Sequence, residues 1–187
     1  MTVDESFSTI IQRMLEGLML HAQLCQYFNF LGLKGYSQCQ KYHYYDESSH
    51  YMDLCDYYIC HYNKIPNEKK FDNKNIIPSD WHMFTRFDVD PGIRKSSVKT
   101  GIEKWVQWEE ETKAVFEQSY QNLINLNEIA LAEKVKELIV HVDKELANAK
   151  KKMLTLKAME YNISDIMLEQ EEKEIKYKKK LKEVKLL

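Results

Sequence analysis

Hydrophobic residues recur at steps of three and four along most of the chain, which is the spacing that places them on one face of an α-helix. The pattern predicts helices near residues 5–31, 36–62, 100–126 and 129–157. Residues 32–35 form a short break after the first helix, and residues 125–127 form a softer one after the third. Because short connections bring a helix back beside the one before it, we expect two antiparallel helical hairpins.

Residues 63–99, between these hairpins, hold all three prolines and show no helical period. Thr100 and Glu103 then have the spacing of a capping box, so the third helix is expected to begin there. A loop of this length is unusual in a compact domain, and we expect it to cross the length of a bundle. The second and third helices would then run in the same direction. The fold class predicted is all-α, a four-helix bundle with one long crossover.

The pattern changes near residue 160, where residues 162–165 look like the start of another helix. This last helix is rich in Glu and Lys, and residues 176–187 hold six lysines against one glutamate. We therefore divide the chain into a bundle over residues 1–160 and an appended charged C-terminal helix or tail over residues 161–187. A solvated helix end is the ordinary interpretation of the lysines, and a phosphate-binding tail is the alternative.

Composition narrows the class of protein further. The 187 residues are 44% hydrophobic and 30% charged, which is typical of a globular chain, and the few glycines and prolines favour long helices. A net charge of −2 gives no general attraction to nucleic acid or anionic membranes, so we expect neither as a partner. No apolar run is long enough to span a bilayer, and the start of the chain lacks a secretion signal. We therefore expect a cytoplasmic protein.

Ionisable side chains interrupt the apolar faces of all four bundle helices at a similar depth. Glu47 and His50 form a Glu-x-x-His pair on the second helix, while His21, Glu109 and Glu145 lie in the apolar stripes of the other three. Unpaired, such groups would cost several kcal/mol to bury. In a four-helix bundle, an inward Glu-x-x-His with glutamates from other helices usually binds a pair of iron or manganese ions.

We therefore predict these five residues as metal ligands. Glu47 would bridge two ions, His50 and His21 would bind one of them, and Glu109 and Glu145 would bind the other. Glu47, His50, Glu109 and Glu145 form the predicted catalytic set. Carboxylate oxygen and imidazole nitrogen suit Fe, Mn or Zn. His43 and His141 are left out of the set, because an inward histidine taken alone more often makes hydrogen bonds in a core than binds metal.

The same segments resemble bacterial non-haem ferritins. Residues 34–52 are similar to the second ferritin helix and contain its Glu-x-x-His, and residues 63–66 are similar to the Asn-Leu-Pro that ends it. Residues 101–109 resemble the start of the third helix, where the family has a metal-site glutamate at the position of Glu109. Continued without gaps, the family's last ferroxidase glutamate falls on Glu145. The resemblance covers roughly residues 5–155.

Two departures from the ferritin pattern bear on the site and on assembly. Ferritins have a first-helix glutamate, which could be aligned with Glu16, but helical periodicity places Glu16 on the wet face and His21 on the inner one. The short Leu33-Lys34-Gly35 turn after an aromatic helix is also weakly similar to the DNA-protecting mini-ferritins, which use a first-helix histidine. The charged C-terminal helix does not look like the apolar fifth helix that closes a ferritin cage. The resemblance therefore implies a homo-oligomer, a dimer or larger, without specifying a cage.

The resemblance implies a dimetal-carboxylate protein that takes metal ions and dioxygen as partners. It would bind two iron ions, with Mn or Zn possible, oxidise Fe(II) as a ferroxidase, and store or release the product. One alternative is a ferritin-like bundle that has lost its metal and serves as a structural or interaction module. Another is a DNA-associated mini-ferritin relative that uses the lysine tail.

Overall fold

The computed structural model describes residues 2–66 and 90–184, and the regular secondary structure of these residues is entirely helical. The helices are α1 (Val3–Phe30), α2 (Lys34–Tyr62), α3 (Pro91–Asn125), α4 (Ile129–Ala158) and α5 (Ile163–Val184). The prediction of an all-α fold is therefore confirmed. None of these described helices combines the length and the apolar character needed to cross a membrane.

Two tight turns build the helical hairpins. After α1 the backbone turns at Gly32, whose φ of 76° lies in the left-handed region that glycine adopts without strain. The amide of Leu33 then donates to the carbonyl of Phe28 at 2.9 Å, which closes the end of α1. After α3, Asn127 takes a left-handed φ of 60° and the amide of Glu128 donates to Leu123 O at 2.9 Å. The two hairpins are thus α1–α2 and α3–α4.

Contacts between α1 and α3 determine how the hairpins are arranged. Near the start of α1, Arg13 Nε donates to Thr112 Oγ1 at 2.8 Å, while near its end Tyr27 OH donates to Ser97 O at 3.2 Å. Residue numbers rise along α1 as they fall along α3, so these helices are antiparallel. Since α2 also returns antiparallel to α1, α2 and α3 run in the same direction, as the crossover predicts. Residues 67–89 of that crossover lie outside the described residues.

The third helix begins earlier than the sequence pattern predicts. The side chain of Asp90 accepts a hydrogen bond from Ile93 N at 2.8 Å and caps the helix, and Pro91 occupies its first turn. Thr100 lies inside the helix, so the prediction of a capping box there, with a loop extending to residue 99, was wrong. The turns of α3 that precede Thr100 are stabilised by packing on α1, where Ser97 and Val98 are buried.

The bundle core consists of two apolar clusters with a polar layer between them. The first cluster, near the α1–α2 turn, includes Leu24, Phe28, Tyr36, Ile102 and Leu156. The second, near the far end, includes Phe7, Ile11, Leu54, Leu123 and Val135. In α2, α3 and α4 the residues between the two clusters are largely polar, and α1 adds His21 to this layer. Here His21, Glu109 and Glu145 are only 1%, 1% and 4% exposed.

The fifth helix packs against α2 and runs in the same direction. Gln170 Oε1 accepts a hydrogen bond from Gly35 N at 3.0 Å, and further along both helices the rings of Tyr42 and Tyr177 lie 5.8 Å apart. Ile166 belongs to the first apolar cluster. The C-terminal helix is therefore docked on the bundle over the length that the structure describes. The division of the chain at residue 160 stays a prediction.

Replacing Gly35 by alanine should loosen this docking. A Cβ at Gly35 would overlap the carbonyl oxygen of Gln170 and lie 2.9 Å from Glu174 N, and backbone atoms cannot move aside as a side chain can. We expect Gly35→Ala to cost about 1–3 kcal/mol and to raise amide hydrogen exchange over Ile163–Val184 while α1 to α4 stay protected.

Gly17→Ala is the matched control. A Cβ there would be 3.5 Å from the nearest atom, Trp108 Nε1, which is an ordinary contact. We expect it to leave α5 protected and to stabilise the bundle by about 0.5–1 kcal/mol, since glycine is unfavourable within a helix. If Gly35→Ala left the exchange of α5 unchanged, the close approach of α2 and α5 would be contradicted.

Candidate metal centre

Glu145 lies at the centre of the polar layer, where histidines from two helices surround its carboxylate. His43 Nδ1 forms a close hydrogen-bonded contact with Glu145 Oε1, and His141 Nε2 lies 3.5 Å from the same oxygen. Burial alone would raise the pKa of Glu145. Attraction to His43 and the contact with His141 outweigh burial and hold that pKa well below its usual value. Glu145 is therefore ionised at neutral pH.

Two atoms of ligand type in this layer are left without hydrogen-bond partners. Glu145 Oε2 and His141 Nε2 are buried, and neither makes a hydrogen bond within residues 2–66 and 90–184. A buried polar atom that lacks a partner costs about 1–3 kcal/mol, so such atoms are rare in folded proteins. Glu145 Oε2 is suited to bind a cation as it stands. His141 Nε2 lies 3.5 Å from Glu145 Oε1 and from Asp46 Oδ2, and the contact with Glu145 raises the pKa of His141, so a cation bound at this nitrogen would displace a proton.

His21 presents a nitrogen to the layer from α1. Its Nδ1 lies 2.8 Å from Gln40 Oε1, and since an amide oxygen only accepts, Nδ1 carries the proton. Its Nε2 then has a free lone pair and lies 4.0 Å from Glu109 Oε1. Burial, followed by repulsion from His43, lowers the pKa of His21 to about 4. The ring is thus neutral, which is the form that binds metal.

Glu109 and Glu47 hold protons that a cation would displace. Glu109 Oε1 accepts a hydrogen bond from Trp105 Nε1 at 2.9 Å. Burial, followed by repulsion from Glu145, nevertheless raises the pKa of Glu109 to about 8. The same two causes, in that order, raise the pKa of Glu47 to about 8. Three carboxylates in one buried layer cannot all ionise without added positive charge.

The ligand atoms fall into three groups. They are His21 with Glu109 and Glu145, Glu47 with His141 and Glu145, and Asp46 with His50 and His141. Within each group, one ligand atom per residue lies within 4.8 Å of the others. Ligands held at about 2.1 Å from one ion are about 3–4 Å apart, so small side-chain rotations would close each group around a cation. The donor set of oxygen and nitrogen fits Fe, Mn or Zn.

All five residues predicted from the sequence lie in these groups, although the groups differ from the expected division. His50 is grouped with Asp46 and His141 and not with His21. Glu145, and not Glu47, is the carboxylate shared by two groups. Their role as metal ligands stays a prediction.

Sequence reasoning left out the histidines and the amide that complete this layer. His43 and His141 contact Glu145, and Gln40 orients His21. The sequence contained a spacing signal for these residues. Gln40, His43 and Glu47 follow steps of three and four on one face of α2. On α4, His141 precedes Glu145 by four residues, or about one helical turn. Each of these residues taken alone is weak support for a site, because hydrogen-bonded core histidines are common.

Glu16 lies outside the layer, as its place on the wet face of α1 predicts. Its carboxylate is 3.8 Å from Arg13 Nη1 and accepts a hydrogen bond from Gln12 at 3.1 Å. Arg13 stacks on the ring of Trp108, with its guanidinium carbon 3.4 Å from the ring centroid. The first helix therefore contributes His21 to the layer, and Glu16 makes an ion pair near the surface.

No protein-family model matches the sequence, and no curated protein matches it either. Solved structures do match the fold. The open-pore ferritin of the hyperthermophilic archaeon Archaeoglobus fulgidus aligns with a TM-score of 0.75 and 16% identity, over 92% of this chain and 95% of its own. The chain has the ferritin-like fold. An engineered closed form of the same ferritin gives the same TM-score and identity, with 94% of its chain covered.

A third structure, described as a humanized archaeal ferritin, aligns with a TM-score of 0.75 at 14% identity, over 92% of this chain and 94% of that one. The ferritin-like fold predicted from the sequence is thus confirmed. At such low identity the similarity extends to the fold alone, and the chemistry of the site depends on the residues described above.

The raised pKa values predict an unusual pH dependence for the metal-free protein. Between the ordinary pKa of 4.5 and about 8, the folded state keeps a proton on Glu109 that the unfolded state loses. The stabilisation from this proton is complete below 4.5 and is lost as the pH rises through 8. We expect stability to fall by up to about 1.4 kcal/mol per pH unit for each such proton.

Glu109→Gln should flatten this slope, because an amide does not ionise, and denaturant unfolding at several pH values would measure it. Glu110→Gln is the control, since Glu110 is the neighbouring residue but is exposed and pairs with Lys150 at 2.7 Å. If both variants kept the slope of the unsubstituted protein, Glu109 would not be a buried protonated carboxylate.

Proposed function

We propose that this chain binds divalent metal ions in its polar layer and that Fe(II) bound there is oxidised by dioxygen, as in a ferroxidase. The observation that carries the proposal is the pair of buried ligand atoms, Glu145 Oε2 and His141 Nε2, that have no partner among the described residues. They lie among further carboxylates and imidazoles from all four bundle helices. A cation placed among them would satisfy both atoms at once.

The carboxylates would perform two tasks. Glu47 and Glu109 would exchange their protons for metal, so binding should release protons and strengthen as the pH rises. Anionic oxygen ligands also attract Fe(III) more strongly than Fe(II), which favours oxidation. Two Fe(II) ions supply two electrons, and one dioxygen molecule takes them up with two protons to give hydrogen peroxide. The ferric product would then be stored or released.

Neighbouring residues position these ligands. Gln40 fixes the tautomer of His21, and Trp105 holds one oxygen of Glu109. Such partners of metal ligands typically change metal affinity by about 10–100-fold when they are removed. Gln40 and Trp105 are therefore positioning residues in this proposal and not ligands.

A second candidate function has one observation in its favour. His43 already contacts one oxygen of Glu145, and Trp105 already donates to Glu109, so part of the layer is satisfied without metal. A buried hydrogen-bonded network of this kind can give a bundle a unique arrangement. The chain would then be a metal-free structural or interaction module.

Compartment and assembly belong to the same proposal. Cys25, Cys39 and Cys60 are free thiols, which fits a reducing compartment such as the cytoplasm. The ferritin-like fold favours self-association into a dimer or larger oligomer. The net charge of −2 gives the chain as a whole no electrostatic attraction to nucleic acid.

Metal analysis of protein purified without chelator tests the central proposal. We expect about two metal ions per chain in the unsubstituted protein. Glu145→Gln should lose most of them, because Glu145 is shared by two ligand groups. Glu110→Gln, which removes an exposed charge from the outer face of α3, should keep them. Loss of metal from both variants would indicate binding by surface charge, and metal-free unsubstituted protein would favour the structural module.

Oxidation is tested by oxygen uptake on addition of Fe(II). We expect Glu47→Ala to abolish the uptake while circular dichroism shows unchanged helix content, because Glu47 supplies a carboxylate to the group with His141 and Glu145. Uptake no faster than buffer by the unsubstituted protein would rule out the ferroxidase, even if metal were bound.

A further inference from the structure

A cavity of about 440 Å³ lies between α4 and α5, and residues of α2 complete its wall. Lysines from both helices line it. They are Lys144, Lys151, Lys152, Lys173, Lys176 and Lys180. The lysine-rich C-terminal segment therefore does not simply extend into solvent, because two of its lysines face this cavity together with lysines of α4.

Three carboxylates lie in the same cavity, and each already has a cationic partner. The pairs are Glu169 with Lys152, Glu145 with His43, and Asp46 with His141. Glu169 also accepts a hydrogen bond from Tyr36 OH at 2.7 Å. The negative charge in the cavity is thus compensated before the other lysines are considered.

The other five lysines have no carboxylate within 4.0 Å among residues 2–66 and 90–184. Those of α5 contact aromatic rings: Lys180 lies 4.5 Å from the ring centroid of Tyr42, and Lys173 lies 5.1 Å from that of Tyr36. The cavity therefore has an excess of positive charge that a bound anion would neutralise.

We propose that this cavity binds a small anion with linked phosphate groups. Lysine binds phosphate as a point charge, and no arginine, which would favour planar carboxylates, lines the cavity among the described residues. Lysines on two opposite walls suit several linked phosphates better than one. The volume of 440 Å³ falls within the range of about 300–1,000 Å³ that is typical of pockets for small organic ligands. This proposal goes beyond the metal chemistry and does not depend on it.

Calorimetric titration of tripolyphosphate and of ATP, at low ionic strength, tests the proposal on protein dialysed free of metal and chelator. The informative variant is Lys151→Gln with Lys176→Gln, which removes one exposed lysine from each wall. The matched control is Lys134→Gln with Lys136→Gln, two exposed lysines on the first half of α4 that pair with Glu137 and Glu133. Both variants lose the same net charge.

We expect saturable binding to the unsubstituted protein, a loss of affinity on the order of tenfold or more in the cavity variant, and little change in the control. Equal affinities for the two probes would assign recognition to the phosphate chain alone. Tighter binding of ATP would add contact of its base with the cavity aromatics, and both results support the proposal. Absence of saturable binding, or an equal loss in both variants, would overturn it.

Hydrogen exchange of the unsubstituted protein keeps the proposal testable if the cavity variant fails to fold. Tripolyphosphate should slow exchange in α5 and in the part of α4 that lines the cavity, residues 144–155. It should leave the start of α4 unaffected. Unchanged exchange in both cavity walls at a saturating probe concentration would count against the site.

Discussion

The cost of burying negative charge halfway along a helical bundle governs this structure. Glu145 is ionised and almost inaccessible. Burial first, and then repulsion from Glu145, raises the pKa of Glu47 and of Glu109 to about 8, so both stay protonated at neutral pH. Apolar clusters on both sides of the layer hold the helices together, so these side chains stay close to one another. The negative charge of the three carboxylates must therefore be neutralised by bound protons, by His43 or by a bound cation.

Because α5 packs on one side of the bundle, the two sides of the polar layer have different surroundings. On the side of α1 and α3, His21 and Glu109 are buried beside packed apolar residues. On the side between α2 and α4, His43 and Glu145 form part of the wall of the lysine-lined cavity. Positive charge in that cavity stabilises the ionised Glu145 and opposes the entry of free cations from the same side. An anion bound there would weaken both effects, so the two proposed sites are electrostatically linked.

The sequence was sufficient for the parts of the fold that depend on periodicity, and insufficient where distant segments meet. Helical spacing predicted four bundle helices, and the long crossover predicted that α2 and α3 run in the same direction. The start of α3 was missed because Ser97 and Val98 become buried only through contact with α1. The packing of α5 on α2 was not predictable either. The need for a glycine at position 35 becomes clear only in the folded chain, where the backbone of Gln170 lies against it.

The site shows the same division. The Glu-x-x-His pair was visible in the sequence, whereas His43 and His141 were ambiguous until the structure placed both beside Glu145.

The two oxygens of Glu145 separate the functional alternatives more sharply than any other feature. A network that served only to stabilise the bundle would be expected to satisfy both oxygens, because each unsatisfied buried atom reduces the stability that the network provides. Here Oε1 contacts His43, while Oε2 and the nearby His141 Nε2 have no hydrogen-bond partner among the described residues. The unsatisfied atoms belong to the residues that the ligand groups share, and both are metal-binding donors. Leaving Glu145 Oε2 without a hydrogen bond makes the protein less stable in the absence of a cation and favours the binding of one. Such a cost is expected of a binding site.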